Sequence, residues 1–204
     1  MTNSGASALA RKGMLADPGD HFTGRFEVER KYAVAGLAEI TARLQARGAI
    51  PFTLGNRETD VFLDWPDGRL AALAKQQVVR SMQPSGRVLW FVKGPQPDEC
   101  IATDLEDFGK ALAMLAALGC VETDRVEKQR DIFFLGDFHL TLDRVPGLGE
   151  FVELAVMTDD AESLSGWADR IEALSAELGL DADALQTRSY RALLAEKGGE
   201  SLTT

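Results

Sequence analysis

Cysteine and histidine are scarce in this chain, with two of each among 204 residues. Cys100 and Cys120 have neither CxxC spacing nor a histidine nearby, which argues against a zinc site or a disulfide framework. Reduced, buried thiols are the simpler prediction, and they favour a cytoplasmic protein. His21 and His139 also lack a partner at ligand spacing, so we predict a structural role for His139 and assign none to His21.

Long hydrophobic runs and excess positive charge are absent as well. No apolar stretch approaches the roughly 18 residues that a membrane-spanning helix needs, and Arg11-Lys12 is not followed by the apolar core of a signal peptide. The 22 basic residues stand against 32 acidic ones, which gives a net charge of −10. Such a surface repels nucleic acids and acidic lipids. We therefore expect no nucleic-acid or membrane partner, and any site for a polyanion has to be local and concentrated.

The remaining composition is that of an ordinary globular protein, with 45% hydrophobic and 26% charged residues. Residues 1–22 are rich in Ser, Ala, Gly and Asp without periodicity, so we predict a disordered or loosely attached lead. Residues 23–197 are long enough for one domain with a real core. Residues 198–204 are then a short C-terminal tail.

The stretch from Arg25 to Tyr32 is the most informative part of the chain. As a β-strand it places Glu27, Glu29 and Lys31 on one face, because side chains alternate with a period of two. The opposite face holds most of the apolar residues. The three charges therefore point either into bulk water, which is the commoner case for a charged strand face, or into a polar cavity. In a cavity the carboxylates can hold a divalent cation while the lysine binds an attached anion.

Turn and periodicity signals along the chain predict an α+β fold. The order is strand, helix, four strands, helix, three strands and two helices, with most strands joined by hairpin-length connections. The predicted strands cover 25–32, 58–64, 76–82, 87–93, 100–106, 127–134, 138–143 and 150–157, and the helices cover 37–48, 107–119, 164–178 and 185–194. Eight such strands indicate an antiparallel β-barrel, closed or nearly closed, with the helices packed outside.

Charged side chains recur on the later strands at alternating positions, as expected if they all point into the interior of one barrel. They are Arg80, Lys93, Lys128, Arg130, Asp143 and Glu153. Together with the charges of the first strand they make a surplus of cations over acids. An unpaired set of this kind would be prohibitively costly to desolvate. We therefore expect a hydrated interior in which the surplus cations face a bound anion, and phosphate oxygens suit guanidinium groups well.

Five ordered motifs resemble those of the CYTH family, which is named for class IV adenylyl cyclases and thiamine triphosphatases and is also called the triphosphate tunnel family. The matching segments are Glu27-Val28-Glu29-Arg30-Lys31 (ExExK), Val92-Lys93-Gly94-Pro95, Lys128-Gln129-Arg130 (KxR), the run from Leu142 to Glu153, and Ser189-Tyr190-Arg191-Ala192-Leu193-Leu194. The last segment resembles the tail of the bacterial cyclase-like branch. The resemblance implies an eight-stranded antiparallel tunnel that binds a triphosphate end-on, with Mg²⁺ or Mn²⁺ held by acidic residues.

The resemblance also implies roles for individual residues. Metal ligands would be Glu27, Glu29, Glu153 and Asp143, although Asp143 could instead be the partner of a cation or cap the following turn. Phosphates would be bound by Lys31, Arg80, Lys93, Lys128 and Arg130. The groups expected to take part in catalysis are Glu29, Lys31, Lys93 and Arg130.

Three positions depart from the family pattern. Val78 replaces the first arginine of an Arg-x-Arg pair, and Ala155 replaces the second acid of a Glu-x-Glu pair. The fifth strand keeps at most Asp104 of its arginine and alternating glutamates. Fewer carboxylates should weaken a Mg²⁺ site without abolishing it, because Mg²⁺ keeps several waters and also binds substrate phosphates.

Three functions are compatible with these residues. The resemblance favours a class IV-type adenylyl cyclase, which makes cyclic AMP and pyrophosphate from ATP. The second is a triphosphatase that acts on inorganic, thiamine or nucleoside triphosphate. The third is a non-catalytic tunnel that binds a phosphorylated metabolite, which the departures at Val78 and Ala155 suggest. Many family members are dimers, so the resemblance also implies a homodimer.

Overall fold

The computed structural model describes residues 24–96 and 98–200, without the side chains of residues 199 and 200. The strands are β1 Phe26–Val34, β2 Ile50–Asp64, β3 Gln76–Gln83, β4 Val88–Lys93, β5 Cys100–Leu105, β6 Val121–Leu135, β7 Phe138–Val145 and β8 Gly149–Thr158. The helices are α1 Leu37–Ala46, α2 Arg69–Ala72, α3 Phe108–Ala117, α4 Leu164–Glu177 and α5 Tyr190–Glu200. The predicted N-terminal lead (1–22) and residues 201–204 of the tail lie outside the described residues.

The eight strands form one antiparallel sheet in the order β1-β8-β7-β6-β2-β3-β4-β5. The sheet curls so far that its two edge strands touch: Glu27 N donates to Asp98 O at 2.7 Å, and Cys100 N donates to Arg25 O at 2.8 Å. This confirms the predicted fold class, an eight-stranded antiparallel barrel with helices outside. The inner faces of the strands enclose the space that we call the tunnel.

Two strands are longer than predicted. β2 begins at Ile50 rather than at residue 58, and β6 begins at Val121 rather than at residue 127. The first part of β2 contains Pro51 and Gly55, which are poor strand formers. The sheet accommodates them with register shifts against β6, and Gly55 takes a φ of 66° at one of these irregularities.

Helices cover the outer face of the sheet in two places. α1 and α4 pack on β1, β7 and β8, where the largest apolar cluster includes Leu44, Leu140, Leu154 and Ile171. α3 packs on β2–β4 around Val79 and other buried residues. Asp107 caps α3 as predicted, because its side chain accepts a hydrogen bond from the Lys110 backbone N at 2.8 Å.

The C-terminal helix occupies a different place from the other helices. The prediction of a helix over 185–194 is wrong at its start: Leu185 pairs with Tyr32 of β1, and Gln186 N donates to Lys31 O at 2.7 Å. The helix begins only at Tyr190 and runs to Glu200, three residues past the predicted end of the domain. Tyr190 and Leu193 pack against residues on the inner faces of β6 and β8, so α5 closes one end of the tunnel.

None of the helices in the described residues is both long and apolar enough to cross a lipid bilayer.

Candidate active site

The structure brings every predicted site residue to the inner face of the sheet, where ion pairs and charge interactions link them. Two further carboxylates from β2 join them. We call this set the tunnel cluster, and its members are Glu27, Glu29, Lys31, Glu58, Asp60, Arg80, Lys93, Lys128, Arg130, Asp143 and Glu153. Seven strands contribute to it, because the alternation of each strand turns its charged positions inward.

Arg130 is held by carboxylates from two neighbouring strands. Its Nε donates to Asp143 Oδ1 at 2.6 Å, and its Nη2 donates to Asp143 Oδ2 and to Glu153 Oε2, both at 2.5 Å. Asp143 is fully buried and also accepts from Tyr190 Oη at 2.8 Å, and Thr141 Oγ1 donates to Glu153 Oε2 at 3.2 Å. Both Asp143 oxygens are thus engaged, which favours the second expectation for this residue, a partner of a cation.

Arg80 and Lys128 are held by the two carboxylates of β2. Arg80 donates to Asp60 through Nε at 2.5 Å and Nη2 at 2.8 Å, while Lys128 Nζ donates to Asp60 Oδ2 at 2.8 Å. Glu58 Oε2 lies 3.1 Å from Lys128 Nζ, 3.4 Å from Arg80 Nη1 and 3.8 Å from Arg130 Nε. One carboxylate oxygen therefore lies among three cations.

The third group lies near the edge where β1 meets β5. Lys93 Nζ is 2.5 Å from Glu27 Oε2 and 3.8 Å from Glu29 Oε2. His139, predicted to be structural, is buried and places Nε2 3.9 Å from Glu27 Oε1. Burial by itself would raise the pKa of Glu27, but the positive charge of Lys93 and the contact with His139 outweigh it and hold that pKa well below its ordinary value.

Lys31 lies between the acidic groups and the closed end of the tunnel. Its Nζ is 4.4 Å from the centroid of the Tyr190 ring, a cation–π contact. The same Tyr190 donates its hydroxyl to Asp143, so the first turn of α5 contacts both a cation and an acid of the tunnel cluster. The end closed by α5 is thus also the end where Lys31 is fixed.

The charge balance of the tunnel cluster differs from the predicted one. The expected surplus of cations is wrong, because β2 adds Glu58 and Asp60 to the acids that the parity of the other strands had indicated. The described tunnel cluster contains five basic and six acidic groups, which gives a formal charge of −1 when all are ionised. In this structure four of the five basic side chains of the tunnel cluster are therefore paired with carboxylates of the same cluster.

Glu29 is the carboxylate least compensated by cations. Its only ion pair among the described residues is the one with Lys93, and its side chain is 29% exposed. Burial, together with the negative charges of Glu153 and Glu27, raises the pKa of Glu29 from 4.5 to about 7. By contrast, Arg130 and Lys31 outweigh burial at Glu153 and lower its pKa to about 2. A cation placed beside Glu29 would relieve the repulsion that raises its pKa.

The donors at this place suit a hard divalent cation. Mg²⁺ is typically bound through one or two carboxylates, with waters and substrate phosphates as its other ligands. Glu29 and Glu153 offer that number on one face of adjacent strands. One oxygen of Glu153 is held by Arg130, as one oxygen of Glu27 is held by Lys93. Within the described residues, no three Asp, Glu, His or Cys side chains are close enough to form a complete metal site by themselves. The residues therefore fit an ion that is bound together with a phosphate ligand.

Two of the three positions that depart from the family pattern are buried on the inner face of the sheet, whereas Asp104 on β5 is exposed and pairs with Arg87. Val78 is buried opposite Phe62 and Phe91, so the missing arginine is replaced by an apolar contact. Ala155 is buried and lies between Glu29 on β1 and His139 on β7. A small residue there leaves room beside the carboxylate that a cation would neutralise.

Sequence reasoning did not identify two of the buried acids or the tyrosine of the tunnel. Glu58 and Asp60 lie on a stretch that was correctly predicted as a strand, but their side was not assigned. The available signal was the alternation of Asn56, Glu58 and Asp60, three polar residues on one face of a strand whose other face becomes apolar at Val61 and Leu63. No local signal in the sequence places Tyr190 in the tunnel, because its contacts come from the path of the chain after α4.

Comparison with known proteins agrees with this geometry. Residues 25–190 match the CYTH domain family. The chain is 44% identical over 173 residues to adenylate cyclase CyaB of Aeromonas hydrophila, which covers 85% of this chain and 91% of that protein. A crystal structure from Vibrio parahaemolyticus, provisionally named an adenylate cyclase, has a TM-score of 0.82 and 37% identity and covers 85% of this chain and 99% of its own.

A more distant structure shares the fold. It comes from Hippeastrum, was provisionally named an adenylyl cyclase, and is described as having a dominant triphosphatase activity. It has a TM-score of 0.58 and 12% identity and covers 84% of this chain and 95% of its own. The match to the family extends over most of the described residues and over the strands that build the tunnel cluster. The chain therefore belongs to the CYTH domain family.

Proposed function

We propose that this protein is an adenylyl cyclase that converts ATP to cyclic AMP and pyrophosphate inside the tunnel. The observation that carries the proposal is the convergence of five cations on the inner face, next to a carboxylate whose pKa is raised by burial and by neighbouring negative charges. Such a site suits a substrate with several phosphates and a divalent cation. The 44% identity to adenylate cyclase CyaB of Aeromonas hydrophila supports the choice of reaction.

The cations would bind the phosphates and stabilise the charge that develops on them during the reaction. Arg80 and Arg130 offer guanidinium groups whose orientation is already set by Asp60 and Asp143. Lys93, which is partly exposed, is the accessible ammonium near Glu29. Preorganised donors of this kind lower the barrier most when they face the site where negative charge builds up. In the cyclase reaction this is the α-phosphate and the leaving pyrophosphate, while the ribose 3′-hydroxyl is the nucleophile.

We propose Mg²⁺ or Mn²⁺ as the cofactor, held by Glu29 and Glu153 with Glu27 beside them. A divalent cation there would neutralise phosphate charge and lower the pKa of an oxygen bound to it. Burial and the neighbouring acids place the pKa of Glu29 near neutrality. A bound cation would lower this pKa again, so Glu29 would serve the reaction as a carboxylate ligand of the metal.

A triphosphatase is the second candidate. The Hippeastrum structure with a dominant triphosphatase activity shares this fold, and the same clasp of cations would serve attack by water on the terminal phosphate. The non-catalytic tunnel is the third candidate, and it rests on Val78 and Ala155. The homodimer and the cytoplasmic location are parts of the proposal that sedimentation and cell fractionation would test.

One assay separates the three candidates. The purified protein is incubated with ATP or with tripolyphosphate and either Mg²⁺ or Mn²⁺, and cyclic AMP, pyrophosphate and orthophosphate are quantified. Cyclic AMP with an equal amount of pyrophosphate is the expected result. Orthophosphate alone would select the triphosphatase, and binding of tripolyphosphate without turnover would select the third candidate.

The same assay tests the carboxylate. Glu29→Ala should abolish metal-dependent turnover, and the matched control is Glu172→Ala, which removes an exposed glutamate on α4 whose only ion pair within the described residues is with Arg30. An unchanged rate in Glu29→Ala would remove this carboxylate from the mechanism.

A further inference from the structure

We infer that Glu58 and Asp60 are positioning residues that hold three phosphate-binding cations in one converging arrangement. The inference rests on the proposed function, because it assigns a task to two acids in the proposed triphosphate site. Both side chains are almost completely buried and neither is needed to explain the metal site. They would act on the substrate indirectly, by orienting the cations that they contact.

The position of β2 in the sheet explains how two residues reach three cations. β2 lies between β3 and β6, the strands that carry the arginine and the KxR pair. Asp60 is directly opposite Arg80 on β3, and Glu58 is directly opposite Lys128 on β6. Facing side chains on neighbouring strands are the closest contacts that a sheet offers. The spacing Glu-x-Asp thus matches the register of both neighbours at once.

The hydrogen bonds fix the direction of each cation. Asp60 binds two nitrogens of the Arg80 guanidinium, so its plane cannot rotate without breaking a bidentate pair. Asp60 also accepts from Lys128, whose side chain is otherwise enclosed. Glu58 is itself oriented, because Asn56 Nδ2 donates to its Oε1 at 2.9 Å and leaves Oε2 towards the cations.

Glu58 Oε2 lies where three cations converge, as an anionic oxygen of a ligand would. It accepts no hydrogen bond within the described part of the chain, although Lys128, Arg80 and Arg130 lie between 3.1 and 3.8 Å away. Without this charge the three cations would repel one another at short range in a site of low solvent access. We conclude that the acid keeps them together before the phosphates arrive.

This role makes a prediction with a definite sign. Neutralising Asp60 makes the tunnel more positive. If Asp60 merely competed with phosphate, the neutral variant would therefore bind tripolyphosphate more tightly than the wild-type protein. A positioning acid gives the opposite result, because freed cations lose their orientation. For Asp60→Asn we expect tripolyphosphate affinity, measured by titration calorimetry with Mg²⁺, to fall by about tenfold or more. In the ATP assay, kcat should fall and KM should rise.

Three further variants sharpen the test. Asp60→Glu keeps the charge and should recover part of the affinity that Asp60→Asn loses. Glu58→Gln keeps the side-chain volume and an oxygen that accepts from Asn56. It should also lower tripolyphosphate affinity, and it provides the test if Asp60→Asn does not fold. The control is Asp131→Asn on the outer face of β6, where the aspartate pairs with Arg144 at 3.1 Å outside the tunnel. It should change stability but not tripolyphosphate affinity.

The outcomes separate this inference from the proposed function. Weaker binding in Asp60→Asn and Glu58→Gln with partial recovery in Asp60→Glu supports the inference, whether or not cyclic AMP is formed. Unchanged or tighter binding in both neutral variants overturns it and leaves the proposed function intact. A wild-type protein that binds tripolyphosphate but forms no cyclic AMP overturns only the proposed function. A wild-type protein that binds none overturns both.

Discussion

Replacing Glu29 by glutamine should stabilise the protein at alkaline pH while removing the proposed metal ligand. The reason lies in the raised pKa of Glu29, which burial and the charges of Glu153 and Glu27 move from 4.5 to about 7. A folded-state pKa above the unfolded value means that folding favours the protonated form. Above pH 7 the folded protein must keep this group ionised against its surroundings, and glutamine would remove that cost.

The size of the effect follows from the same numbers. The difference between 4.5 and about 7 corresponds to about 3 kcal/mol. Because the side chain is 29% exposed, solvent screening reduces this value, and we take about 2 kcal/mol. For a domain of this size, such a change raises the midpoint of thermal unfolding by about 4–8 °C.

The sign fixes the range of pH in which the effect appears. Below the unfolded pKa of 4.5 the carboxyl is protonated in both states, so glutamine and glutamic acid should be equivalent. Between pH 4.5 and 7 the unfolded chain ionises first, and the wild-type protein progressively loses stability relative to the variant. Above pH 7 the difference should be constant.

The assay is thermal unfolding of wild type and Glu29→Gln at pH 4.5 and pH 8, with and without Mg²⁺. Glu58→Gln is the matched control, since it is the same substitution with the opposite expected sign. Burial by itself would raise the pKa of Glu58, but Arg80 and the other nearby cations outweigh it and lower that pKa. Glu58→Gln should therefore destabilise the protein at pH 8, and Mg²⁺ should stabilise wild type more than Glu29→Gln.

Two results would refute the reasoning. Glu29→Gln could be less stable than wild type at pH 8, which would mean that its charge is favourable in the empty tunnel. The stabilisation could also be the same at pH 4.5 and pH 8, which would mean that packing and not ionisation is responsible.

Two further substitutions test the closed end of the tunnel and the turn after β4. Tyr190→Phe removes a hydrogen bond to the buried Asp143 carboxylate and should lower the free energy of unfolding by about 2 kcal/mol in urea titrations; an unchanged value would mean that α5 does not support the site. Gly94→Ala should lower the unfolding midpoint and tripolyphosphate affinity, because φ is +87° and an added Cβ would overlap the Ala74 carbonyl oxygen. Gly86→Ala, with φ +72° and open space around it, is its control, and equal effects would contradict the role of the overlap.

Alternation along the strands was enough to predict which charges share one face. Lys93, Arg130 and Glu29 come from three strands far apart in sequence, and each lies on the side of its strand that parity indicated. The reason is that a strand has only two faces, so residues two positions apart point to the same side. Together with the family motifs, this predicted the fold class and all members of the tunnel cluster except Glu58 and Asp60.

Pairing between strands could not be predicted in the same way. The order that places β2 between β3 and β6 is a property of the whole sheet. No local sequence pattern therefore predicts that Asp60 contacts both Arg80 and Lys128. The path of the chain after α4 is a second case. Leu185 has helical neighbours in the sequence pattern but adds to the edge of β1, where the backbone of Lys31 offers a hydrogen-bond acceptor.

The acids of β2 change the physical meaning of the site. A tunnel with surplus cations would bind any polyanion, and the binding would need no metal. With six acids among eleven charges, the tunnel cluster is close to neutral, so a triphosphate that enters alone brings negative charge that the five cations cannot neutralise without leaving their own carboxylates. A divalent cation that enters with the phosphates restores the balance, and it would offset the burial and the charges of Glu153 and Glu27 that raise the pKa of Glu29 to about 7. Metal dependence is therefore expected from the charge balance of the chain itself, independently of the family to which it belongs.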